Sequence, residues 1–126
     1  MARELVYQAD AIVAEAASRL AELLRLAAAQ LKPFPRFPGA EFETLEVPPP
    51  ATARSEVGCV VLAPDGKLYE YEINLVGDSF SPERVENLKP LDLTPAEFIA
   101  YAYMALVAVA KALDQSPQGG SRWTSS

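Results

Sequence analysis

Glu56–Val76, EVGCVVLAPDGKLYEYEINLV, reads as two β-rich runs joined at Ala63-Pro64-Asp65-Gly66-Lys67. Proline presets the first corner of the turn, aspartate suits the second, and glycine takes the left-handed position of a bulged hairpin loop. If Ala63 pairs with Lys67, the register follows. Val61 faces Tyr69, Cys59 faces Tyr71 and Val57 faces Ile73 on one side. Leu62 faces Leu68, Val60 faces Glu70, Gly58 faces Glu72 and Glu56 faces Asn74 on the other. The first side is apolar and the second half polar, so the pattern predicts an antiparallel hairpin that buries the Val57-Cys59-Val61 side.

Outward from the hairpin, each end of the chain reads as a long helix. Thr94-Pro95-Ala96-Glu97 has the residues of a capping box, with proline at the first helical position. Phe98, Ile99, Tyr101, Tyr103, Met104, Leu106, Val107, Val109 and Leu113 follow, with alanines between them. A helix apolar all round must be covered on most sides. The uncharged run Phe98–Ala110 is shorter than the roughly 20 residues a bilayer span needs, so the reading is a buried or interfacial helix.

Residues 2–32 read as one amphipathic helix. Leu5, Ala9, Ile12, Ala16, Leu20, Leu23, Ala27 and Leu31 recur at spacings of three and four, and Val6, Val13, Ala17 and Leu24 widen the stripe. About 30 helical residues span roughly 45 Å, whereas a domain of this size is only about 35 Å across. One end of the stripe is therefore expected to overhang. Burial against a second copy is the economical solution, and a break around Ala27-Ala28-Ala29 is the alternative.

Between these elements, Lys32–Gly39 (KPFPRFPG) holds three prolines in six positions and reads as an extended connector stapled by Phe34 and Phe37. Glu41–Val47 is expected as a short edge strand ended by Pro48-Pro49-Pro50. Ser81-Pro82-Glu83 reads as the start of a short helix to about Leu88. The expected fold is therefore α+β and two-layered, with long N- and C-terminal helices on a small antiparallel sheet centred on the 56–76 hairpin. Residues 1–115 form the single domain, and 116–126, with Trp123 and Gly119-Gly120, form a flexible tail.

Composition excludes more function than it assigns. The chain has 126 residues, a net charge of −6, one cysteine and no histidine. Without histidine, Ser-His-Asp and Cys-His catalysis and most zinc sites are ruled out. One cysteine forms no internal disulfide, and with no secretory leader this points to the cytoplasm. Residues 41–97 carry twelve carboxylates against four Lys/Arg. No basic patch exists for nucleic acid or for an anionic membrane surface. The high Ala, Leu, Arg and Pro content resembles that of thermophilic proteins.

The remaining chemistry is thin. Cys59 reads as core. Glu70 and Glu72, about 7 Å apart on one strand face, would serve a carboxylate or metal enzyme only if a third acid converged on them. Asp65 reads as a turn residue. Asp78, Ser79, Ser81 and Glu83 match no cation-loop spacing. No catalytic, cofactor or metal residue is assigned. The leading expectation is a non-catalytic, self-associating interaction or adaptor module, a homodimer whose interface uses Leu20, Leu24, Leu26, Leu31, Tyr103, Met104 and Val107. The alternative is a binder of a small apolar ligand, with Tyr69, Tyr71, Phe98 and Tyr101 lining a pocket between hairpin and C-terminal helix.

Overall fold

The turn closes as its residues require. Ala63 N donates to Lys67 O at 3.1 Å and Gly66 N to Ala63 O at 2.9 Å, Lys67 N donates to Asp65 Oδ1 at 2.9 Å, and Gly66 sits at φ +80°. The computed structural model describes residues 2–78 and 80–115. In chain order these form α1 (Ala2–Ala28), β1 (Leu45–Val47), β2 (Cys59–Leu62), β3 (Leu68–Val76), β4 (Glu83–Pro90) and α2 (Pro95–Gln115). The strands make one antiparallel sheet in the order β1-β2-β3-β4. Two helices packed with this sheet give the two-layer α+β fold. Trp123 and the rest of the expected tail lie outside the described residues.

The β2–β3 register is the expected one, with Cys59 opposite Tyr71, Val61 opposite Tyr69 and Leu62 opposite Leu68. The hairpin is shorter than expected because β2 begins at Cys59. Gly58 does not pair with Glu72. Its N–H instead donates to the Glu70 carboxylate at 2.7 Å. Residues 72–76 of β3 pair with 83–87 of β4, so the expected short helix over 82–88 is a strand. Asp78 Oδ1 accepts from Phe80 N and Ser81 N at 3.1 and 2.8 Å, and Gly77 takes φ +100°. The capping-type residues thus close a second hairpin. Eight ladder positions on the free edge of β3 outweigh the short helix they would have started.

Both faces of β2 are buried: on the expected side Val61 is 0% exposed and Val57 packs against the core, but the helices lie on the other side. Val60, Leu62 and Leu68, with Val47 of β1, join Leu24, Ala28, Leu31 and Phe34 and the α2 stripe Tyr101, Ala102, Ala105 and Val109 in a single core. On the Val60 side Glu70 stands directly opposite Val60 and its carboxylate takes the Gly58 N–H at 2.7 Å, while Glu72 lies in the part of β3 that has outrun β2 and pairs with Asn87 of β4. The other face is crossed by the proline segment. Glu41 N donates to Glu86 Oε2 at 2.6 Å, and Phe37 and Pro38 line a groove with Tyr71 and Ile73. Cys59, expected in the core, is exposed.

The capping box forms reciprocally, with Thr94 N donating to Glu97 Oε1 at 2.9 Å and Glu97 N to Thr94 Oγ1 at 3.2 Å. α1 stops at Ala28, within the alanine-rich stretch. Two tight positions test this packing. A Cβ on Gly66 would lie 2.5 Å from Arg25 Cα of α1. Gly66→Ala should therefore cost at least about 2 kcal/mol, from the left-handed backbone and the displaced helix together. Thr44, 2% exposed, has a hydroxyl with no hydrogen-bond partner among the described residues. Thr44→Val keeps the shape and removes the buried dipole, and should stabilise by about 1 kcal/mol. Denaturant unfolding measures both.

Candidate interaction surface

The polar side chains that could have carried chemistry are committed to the scaffold. Glu86, 8% exposed, accepts the Tyr71 hydroxyl on Oε1 and the Glu41 N–H on Oε2. The Tyr71 hydroxyl, the Glu41 N–H and the cations Arg84 and Arg36 hold its carboxyl below the usual glutamate range. Burial, and then the bond to Glu86, push the Tyr71 phenol up. Glu97 is likewise held low, first by the Thr94 N–H. It also pairs with Arg54 at 2.9 Å, whose other nitrogens reach Asp92 O and Glu56. Arg54 thereby ties the 51–57 linker to the start of α2.

Glu70 is bound to Gly58, and Asp65 accepts the Tyr69 hydroxyl at 2.6 Å. Among the described residues no group of three His, Cys, Asp or Glu side chains could hold a metal ion. Glu70 and Glu72 therefore gain no third acid.

The four aromatic residues expected to share a pocket are spread over three open grooves. Tyr69 and Phe98 line one of about 640 Å³ between α1, the 65–68 turn and 90–98. Tyr101 lines another with Pro48, Pro50 and Val57, and Tyr71 lies in the groove under Phe37. Tyr71 lies beside Phe37 and Pro38, whereas Tyr69 reaches the groove beside α1, so the two hairpin tyrosines do not share a pocket.

The residues expected at an interface also divide. Leu24 is fully buried and Leu31 is 7% exposed, and Leu20 and Met104 pack against the same core. These four are consumed inside the chain, whereas Leu26, Tyr103 and Val107 face outward, Tyr103 at 61% exposure. The larger apolar surface is the overhanging end of the α1 stripe. Residues 2–12 of α1 are all exposed, including Leu5, Val6, Tyr7 and Ile12, and Leu23 further along is also open. A separate patch lies at the tip of the β3–β4 ribbon, where Leu75 and Phe80 are open.

No family model matches the chain, and no curated protein and no solved structure matches it. The physical surface therefore carries the functional argument alone.

The exposed Cys59 has no activating neighbour. Partial burial, and then the negative charge of Glu46 across the β1–β2 pair, push its thiol up. Since the thiolate is the reactive form, iodoacetamide should label Cys59 to completion but more slowly at neutral pH than it labels a free thiol. The rate should keep rising with pH past the ordinary cysteine range, and Glu46→Gln should shift that profile downward.

Proposed function

We propose that this protein is a non-catalytic interaction module that works as a homodimer, with its helices making the dimer contact. The observation that carries this reading is the exposed apolar surface of the helices: Leu5, Ile12, Leu23 and Leu26 on α1, and Tyr103 and Val107 on α2. Large apolar side chains exposed along one helix on a repeat of threes and fours, as Leu5, Ile12, Leu23 and Leu26 are, favour a contact site. Self-association through the helices leaves the ribbon tip, with Phe80 at 96% exposure, free for a second partner. That is the arrangement an adaptor needs.

α2 is also long and apolar enough to cross a membrane by length and composition. Moving it into a bilayer would strip Tyr101, Ala102, Ala105 and Val109 from Leu24, Ala28, Val60 and Leu62. That opened core favours a soluble dimer, and with it a cytoplasmic setting. The small-ligand reading rests on the single groove shared by Tyr69 and Phe98, whose one phenol hydroxyl is already taken by Asp65.

Light scattering of the full chain at high micromolar concentration should give twice the 13.6 kDa chain mass. A strict monomer there overturns the reading.

A further inference from the structure

α1 carries two apolar seams, each at the alternating spacing of three and four that pairs helices in coiled coils. The first runs Val13, Ala17, Leu20, Leu24 and Ala27, and every member is partly or fully buried. The second is advanced by one residue, about 100° around the helix. It runs Leu5, Ala9, Ile12, Ala16, Arg19, Leu23 and Leu26. All but Ala16 are exposed, Leu5 and Ile12 at 67%. The chain's own core takes the first seam. The second spans about three heptads, roughly 32 Å of helix, which is the length at which a heptad pattern specifies a partner helix.

We infer that the second seam binds the same seam of a second copy in antiparallel orientation, with the twofold axis crossing α1 at Ala14. The inference rests on the dimer reading above and names the surface and register. Three observations select this occupant.

The first is the residue order itself. In this register Leu5 packs on Leu23 of the other copy at each end, and between them Ile12 meets Ala16 and Arg19 meets Ala9, a large side chain on a small one. A parallel pair would stack Arg19 on Arg19, Ala9 on Ala9 and Ile12 on Ile12, leaving uneven layers in the seam.

The second is charge. The glutamates flanking the seam are neutralised within their own helix, Glu15 by Arg19 at 3.3 Å and Glu22 by a fork from Arg25. Two such flanks can therefore approach without net repulsion.

The third is the overhang. The register lays residues 5–12 of each chain along residues 16–23 of the other. The end of α1 that its own domain leaves wet is covered by the half of α1 that the partner's domain holds in place.

Engineered cysteines test this on a Cys59→Ser background. Ala9→Cys alone and Arg19→Cys alone should give no covalent dimer under mild oxidation, and an equimolar mixture of the two should give one. Self-crosslinking of either variant overturns the antiparallel register. No crosslink in any sample, with light scattering still showing a dimer, overturns the seam and leaves self-association standing. A monomeric parent overturns both. Ile12→Glu, on an exposed position, should leave the circular dichroism spectrum of the fold unchanged and weaken dimerisation at least about 100-fold. Unchanged dimerisation with the fold intact also overturns the seam.

Discussion

Everything in this molecule is scaled by the length of β2. Its four residues, Cys59–Leu62, make a platform of roughly 13 Å, while the 27 residues of α1 extend about 40 Å. Only apolar side chains lying over Val47, Val60, Leu62 and Leu68 can be dried by the sheet. The C-terminal half of α1 and one stripe of α2 occupy that space completely, with Leu24, Ala102 and Ala105 at 0% exposure. Among the described residues, nothing covers residues 2–12 of α1 or Tyr103 and Val107 of α2. The tension between a well-packed small core and long apolar helices is therefore built in, and no rearrangement of rotamers relieves it.

The polar residues are arranged to make that small core rigid. Four carboxylates outside the helices satisfy backbone N–H groups: Glu86 at Glu41, Glu70 at Gly58, Asp65 at Lys67 and Asp78 at Phe80 and Ser81. Loops carry backbone groups that need partners, and a chain with few long strands has many loop residues for its size. The acidity of residues 41–97 is thus partly structural. A carboxylate bound to backbone donors is held in place, which suits it to scaffolding.

What could be read from the residues was local. The Ala63–Lys67 turn fixed its register because one slip reverses every side chain, and Thr94 and Glu97 announced their helix by short-range chemistry. The edge position of β1 followed from the prolines behind it. What escaped was decided at longer range. The 82–88 segment carries a helix-start signal and strand-compatible Val85 and Leu88, and the free edge of β3 decided between them. The Val60 side looked wet because of Glu70, whose carboxylate is used instead on the Gly58 N–H, so both sides of β2 are buried. The broad stripe on α1 was visible as a single feature. Its division into a covered and an open seam required the position of α2, which no helical periodicity contains.

The sheet edges bear on where a second copy would attach. β1 is three residues long and runs into Pro48-Pro49-Pro50, so it offers almost no ladder. β4 is eight residues long and pairs only with β3, which would ordinarily invite strand addition. Its sequence, ERVENLKP, sets Glu83, Arg84 and Lys89 beside the buried Glu86 and ends in proline. These are the devices that discourage edge-to-edge pairing. An antiparallel twofold pairing of β4 that preserved the sheet faces would centre on Glu86 or Asn87. The first would place Glu86 against Glu86, and the second Glu86 against Leu88. Both would disturb the carboxylate that anchors Tyr71 and Glu41. Association by continuing the sheet would thus break the fold's own polar anchor, whereas association along α1 costs the core nothing. On those terms the proposed self-association is better served by the helices than by the strand edges.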